Sequence, residues 1–134
     1  MKLPDKRNNN ILIYINGLLM PREEAKISVF DSAVQGGDAV WEGLRVYKGR
    51  IAALSSHLLR LQNSAKTLAF KSVPSTEVIR KAIFDTLEAN GMWDETHIRL
   101  TLSRGEKITS GMNPNLNQFG CTLIVLAEWK APVY

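Results

Sequence analysis

The sequence predicts an α+β fold, a mainly antiparallel sheet with two helices packed on one side. Three observations support this prediction. Two short apolar runs flank Asn16-Gly17, a dipeptide suited to the positive φ angles of a tight hairpin turn. Two later segments repeat apolar residues at steps of three and four, as amphipathic helices do. Further segments alternate in polarity or are continuously apolar, which is typical of strands inside a sheet.

The first half of the chain is predicted to hold most of the strands. Residues 1–10 are polar and rich in Asn, so we expect a flexible N-terminal arm. A bend containing Gly36-Gly37 should lead into the longest strand, and Lys48-Gly49 should turn the chain back. The predicted strands cover 11–15, 18–20, 25–30, 39–47 and 50–54.

Two helices and two strands are predicted for the second half. Ser55 or Ser56 is the expected N-cap of the first helix, which should run through Ala69. The second helix should begin after Ser75 and end at Asn90-Gly91. Strands at 97–104 and 121–128 should complete the sheet, joined by a loop long enough to suggest a function. The predicted inner stripes are Leu58, Leu61, Ala65 and Leu68 in the first helix and Val78, Ala82, Ile83, Thr86 and Leu87 in the second.

Composition excludes several classes of protein. The chain has 134 residues, a net charge of +4 and 45% hydrophobic residues, which fits one globular domain. Its charges are scattered, so we expect no nucleic-acid partner. It also has no apolar run of membrane-spanning length, and the single Cys121 lies in a predicted buried strand. We therefore expect a cytoplasmic protein without membrane contact, and no metal site, because the two histidines lack companions at ligand spacing.

Four arginines lie among apolar runs rather than in charge clusters: Arg45, Arg60, Arg99 and Arg104. Because side chains alternate along a strand, Trp41 and Arg45 should share one face of their strand, and His97 and Arg99 one face of theirs. A planar guanidinium suits contact with a phosphate or a carboxylate. The pattern indicates an anion site, although ordinary solvation stays open for each arginine taken alone.

Three blocks in this order and spacing resemble a known family: Val40-Trp41-Glu42-Gly43-Leu44-Arg45, His57-Leu58-Leu59-Arg60-Leu61, and Ile98-Arg99 with Arg104-Gly105. They are similar to the N-terminal small domain of class IV aminotransferases. These are the pyridoxal-phosphate enzymes of fold type IV, which include branched-chain and D-amino-acid aminotransferases and aminodeoxychorismate lyase. The resemblance implies that residues 11–134 form this small domain.

The resemblance also implies roles for single residues. Arg60 would contact the cofactor phosphate, Trp41 would line the substrate pocket, and Arg99 would meet the substrate carboxylate. Arg45 matches the arginine of the E-G-x-R block, whose role varies among members. His97 matches a pocket position at which members of the family often carry Tyr. Gly36-Gly37 and Trp41 also differ from the residues typical of branched-chain enzymes at pocket positions, so the amino acid that is used stays open.

No residue of the chain is assigned to catalysis. The family's cofactor-bearing lysine lies in a large domain beyond the position of Tyr134, and Lys130 aligns before that region. We therefore expect the large domain to be absent and the chain alone to be inactive. The parent would exchange an amino group between an amino acid and a 2-oxo acid with pyridoxal phosphate, as a homodimer in which loop 105–120 reaches the neighbouring subunit. The alternatives are a fragment of an aminodeoxychorismate-lyase-like enzyme and a non-catalytic domain that binds a carboxylate or a partner chain.

Overall fold

The computed structural model describes residues 5–132. Within them, six strands form a single antiparallel sheet, with the order β2-β1-β6-β5-β3-β4. The two helices are α1 (Leu54–Thr67) and α2 (Thr76–Asn90). The predicted α+β fold is confirmed. The strands are β1 (Leu12–Ile15), β2 (Leu18–Pro21), β3 (Ala39–Tyr47), β4 (Arg50–Ile51), β5 (Thr96–Ser103) and β6 (Thr122–Trp129).

The core lies between the two helices and one face of the sheet. Leu44 of β3 pairs with Ile98 of β5, which pairs with Ala127 of β6, and all three side chains are buried. The helices add the buried side chains of Leu58, Leu61, Ala65, Ile79, Ile83 and Leu87. Since successive strand residues point to opposite faces, the residues between these core positions lie on the other face of the sheet.

The predicted arm is wrong for residues 6–10, which form a 3₁₀-helix. The side chain of Asn8 is buried, and its amide accepts from the backbone N–H of Trp129 at 2.7 Å and donates to the carbonyl of the same residue at 3.0 Å. Asn8 thus completes the hydrogen bonding at the end of β6 as a neighbouring strand would. Residues 1–4 lie outside the described residues.

The predicted strand at 25–30 is also wrong. The carbonyl of Ser28 accepts from the N–H of Asp31 at 3.1 Å, and the Ser28 hydroxyl accepts from the N–H of Phe30 at 3.0 Å. These local hydrogen bonds form a turn, because a serine side chain competes with strand pairing for backbone donors. Asp31, immediately after it, is buried and accepts from the hydroxyl of Thr122 at 2.6 Å.

The helix boundaries and stripes differ from prediction in detail. Helix α1 begins at Leu54 after a left-handed Ala53 that makes no side-chain cap, so neither predicted serine is the N-cap. Leu68 is the exposed C-cap residue rather than a core residue. Helix α2 begins after Ser75 as predicted, and Ser75 is its N-cap. Ile79 is buried where Val78 was expected, because Ile79 lies three and four residues before the buried Ala82 and Ile83.

Candidate functional site

Four of the predicted site residues lie together on the sheet face opposite the helices. In the register of β3 and β5, Arg45 lies opposite His97 and Gly43 lies opposite Arg99. Trp41 precedes Gly43 on the same face. The absence of a side chain at Gly43 lets the imidazole of His97 lie close to the backbone of β3. A Cβ at this position would be 3.3 Å from the imidazole and 3.6 Å from the ring of Trp41.

The guanidinium of Arg99 stacks on the indole of Trp41, with 3.8 Å between the guanidinium carbon and the ring centroid. Both residues are exposed. Stacking of an arginine on the face of a tryptophan is favourable and restricts the guanidinium to one plane. The edge of Arg99 therefore remains open for two parallel hydrogen bonds to a carboxylate.

Positive charge surrounds His97. Arg45 donates from Nη2 to the carbonyl of Lys130 at 2.7 Å, which anchors it beside the end of β6. Burial lowers the pKa of His97, and the nearby charges of Lys130 and Arg45 lower it further, against an opposing contribution from Glu128. These effects favour the neutral form of His97, so the arginines supply the positive charge of this face.

Arg60 lies on the other side of β3, next to the buried carboxylate of Glu42. Its Nε is 3.0 and 2.9 Å from the two carboxylate oxygens, and its Nη2 is 2.7 Å from Oε1. His57 Nδ1 lies 2.6 Å from the same Oε1. Burial would raise the pKa of Glu42, but the hydrogen bonds from Arg60 and His57 outweigh it and hold this pKa below its ordinary value.

Glu42 is the site residue that sequence reasoning missed. The sequence did contain a signal for it. Glu42 occupies one of the alternate strand positions that face the core, between Val40 and Leu44, and a buried carboxylate needs a cation as partner. The histidine and arginine three residues apart in α1 are on one face of the helix and supply the partners.

Arg104 has a structural role. It donates to Asp38 at 2.5 Å and to the carbonyls of Leu68 and Ala69 at the end of α1, at 2.7 and 3.3 Å. Its guanidinium also lies over Phe70, 4.7 Å from the ring centroid. The anion that this arginine holds is thus a carboxylate of the chain itself.

The described residues contain neither a metal-binding cluster nor a membrane-spanning helix. Across residues 5–132, no group of His, Cys, Asp and Glu is arranged to hold a metal ion. In the same part of the chain, no helix is long and apolar enough to cross a membrane.

The same arrangement of sheet and helices occurs in branched-chain amino acid aminotransferases of known structure. The family model for amino-transferase class IV matches residues 39–128, which contain β3, both helices, β5 and nearly all of β6. The chain belongs to the class IV aminotransferase family.

Individual relatives agree with this assignment. Branched-chain-amino-acid aminotransferase-like protein 2 of Arabidopsis thaliana is 61% identical over 132 residues, which are 98% of this chain and 24% of that protein. The branched-chain amino acid aminotransferase of Escherichia coli is similar in structure with a TM-score of 0.75 and 27% identity, over 88% of this chain and 40% of that one. The 4-amino-4-deoxychorismate lyase of Pseudomonas aeruginosa is similar in structure with a TM-score of 0.72 and 26% identity, over 92% of this chain and 41% of the lyase chain. The chain thus spans less than half the length of each of these proteins.

Proposed function

We propose that this chain is the small domain of an amino-acid aminotransferase that exchanges an amino group between an amino acid and a 2-oxo acid with pyridoxal phosphate. The observation that carries the proposal is the grouping of Trp41, Arg45, His97 and Arg99 on one open face. A wall with two arginines and a neutral histidine suits substrates that share a carboxylate. Arg99 binds this carboxylate, and Trp41 fixes the plane of Arg99 and contacts the rest of the substrate.

Arg60 fits the phosphate of the cofactor. Its side chain is 68% exposed, and no residue between 5 and 132 is hydrogen-bonded to its Nη1, while its Nε and Nη2 are held by Glu42. A fixed guanidinium with a free edge suits a phosphate dianion. When bound, the cofactor supplies the electron-withdrawing ring for the chemistry at the α-carbon.

We further propose that the chain alone does not transaminate, and that the reaction needs a second, lysine-bearing domain. Loop 105–120 carries the exposed apolar side chains of Ile108, Met112 and Phe119, which supports contact with another subunit in a homodimer. A cytoplasmic location is part of the same proposal. Incubation of the chain with pyridoxal phosphate and borohydride should leave no cofactor attached to a lysine, and mass spectrometry that found one such lysine would contradict this.

The experiment for the main proposal uses the full-length protein and four forms of it: wild type, Arg60→Ala, Arg99→Ala and Arg80→Ala. Arg60→Ala should weaken pyridoxal-phosphate binding by about tenfold or more, because a charge-assisted hydrogen bond to the phosphate is lost. Arg99→Ala should raise KM for the amino acid and the 2-oxo acid while cofactor affinity is unchanged. Arg80 is an exposed arginine of α2 and serves as the matched control. If Arg60→Ala or Arg99→Ala behaved like Arg80→Ala, the corresponding assignment would be wrong.

A lyase is the second candidate, because the similarity to 4-amino-4-deoxychorismate lyase extends over 92% of this chain. The two candidates differ in their products. Transamination consumes a 2-oxo acid in proportion to the new amino acid, whereas a lyase forms its product without any 2-oxo acid acceptor. Omitting the acceptor from the assay therefore separates them.

A further inference from the structure

Glu42 is a carboxylate in an otherwise apolar position. It lies on the helix side of β3 with its side chain 4% exposed, between the buried Val40 and Leu44. A buried charge is strongly unfavourable unless it is paired. Among the described residues its hydrogen-bond partners are His57 and Arg60, which both belong to α1.

The two side chains in the contact between Glu42 and Arg60 differ in solvent exposure. The carboxylate is buried, but the arginine side chain is 68% exposed. A long exposed side chain ordinarily samples many rotamers, and ordering it on binding costs entropy. Here three contacts of 2.7 to 3.0 Å fix the Nε and Nη2 edge of the guanidinium, so that the Nη1 edge is the one presented outward.

His57 fixes the carboxylate in turn. Its Nδ1 lies 2.6 Å from Oε1, at which distance the N–H donates to the carboxylate, and the imidazole is three-quarters shielded. Oε1 thus receives hydrogen bonds from both partners, whereas Oε2 receives one from Arg60 Nε. The strand and the helix together hold Glu42 in one orientation.

We propose that Glu42 is a positioning residue for anion binding: it holds the Arg60 guanidinium, before any ligand arrives, in the orientation that meets the cofactor phosphate. This inference rests on the proposed function, because it needs Arg60 to contact that phosphate. It makes a counterintuitive prediction. A carboxylate beside a phosphate site repels the anion, so simple electrostatics expects its removal to strengthen binding. A positioning role expects its removal to weaken binding.

The test measures dissociation constants of pyridoxal phosphate for the full-length protein as wild type, Glu42→Gln and Glu42→Asp. Gln keeps the size of the side chain and removes its charge. Asp keeps the charge but is shorter by one methylene, so the carboxylate cannot reach the three contacts. Both variants should bind pyridoxal phosphate about tenfold more weakly, the factor that corresponds to ordering a long side chain during binding. Pyridoxal, which lacks the phosphate, should bind all three forms with equal affinity.

The same two substitutions in an Arg60→Ala background give the decisive comparison. With no guanidinium to orient, neither should weaken binding further, and Gln should strengthen it slightly by removing a negative charge. If Glu42→Gln in the wild-type background bound pyridoxal phosphate as tightly as wild type or more tightly, the positioning role would be refuted. If that variant failed to fold, unchanged affinity in Glu42→Asp would refute it. An Arg60→Ala variant with unchanged affinity would instead overturn the proposed phosphate contact itself, and with it this inference.

Discussion

Replacement of Gly105 by Ala should strongly destabilise the domain, because two separate constraints coincide at this residue. Gly105 is buried at the start of loop 105–120, with φ at +102°, where L side chains are strained. A Cβ at this position would overlap the carbonyl oxygen of Gly120 and lie 2.9 Å from its carbonyl carbon. Both neighbouring atoms belong to the backbone, so no side-chain rotation can relieve the overlap.

The magnitude follows from these two contributions. The backbone strain costs about 1 to 3 kcal/mol, and overpacking costs about as much again. Any shift of Gly105 would also disturb its hydrogen bonds: its carbonyl accepts from the N–H of Ser32 and from Asn117 Nδ2, each at 2.9 Å. We expect Gly105→Ala to lower the free energy of unfolding by at least about 3 kcal/mol, or roughly 12 °C in Tm for a chain of this size.

Gly91→Ala is the matched control. Gly91 ends α2 with φ at 64° and ψ at 33°, and a Cβ there would meet nothing within 4 Å. Only the left-handed conformation then costs free energy, about 1 kcal/mol, or roughly 4 °C. Thermal unfolding followed by circular dichroism measures both variants. Equal losses of Tm in the two variants would refute the argument, because the close approach of Gly105 to Gly120 would then contribute nothing.

Three further predictions concern single side chains. Ser75→Ala should lower the free energy of unfolding by about 1 kcal/mol in urea titrations, because the serine accepts from the N–H of Val78 at 3.2 Å; an unchanged midpoint would contradict its capping role. Burial raises the pKa of the Cys121 thiol to about 11, so iodoacetamide should label it slowly at pH 8 in the folded protein and rapidly in urea. In NMR titrations the pKa of His97 should lie below 6.5, because burial and the charges of Lys130 and Arg45 disfavour its protonated form. Because the pKa is lowered in the folded state, the free energy of unfolding should decrease as pH falls below 6.5. A measured pKa above 6.5 would be inconsistent with the structure.

Local patterns in the sequence were sufficient for several elements. The alternation from Ala39 to Tyr47 predicted β3 with the observed bounds. The hairpin at Asn16-Gly17 and the left-handed stop at Gly91 follow from residues that tolerate positive φ. Alternation also predicted correctly that Trp41 and Arg45 share a face, because it depends only on the period of a strand.

Two of the residues misread from sequence have partners that lie far along the chain. Asn8 docks on Trp129, and Arg104 binds Asp38 and the end of α1. Asn8 belongs to a segment whose composition resembles a disordered tail, and only the position of β6 orders it. Arg104 has the same residue type as the site arginines, and only its neighbours give it a structural role.

In the candidate site, too, some features follow from the sequence and others from tertiary packing. The sequence by itself determined the fold class, the strands that carry the site and the family resemblance, since these depend on patterns within a few residues and on the order of short blocks. Only the tertiary structure decided that Arg60 lies on the opposite side of β3 from Arg99 and that Glu42 holds it. The physical reason is that a buried charge takes whichever partner the packing of helix against sheet brings within hydrogen-bond distance, and that packing is set by the whole core rather than by any local segment.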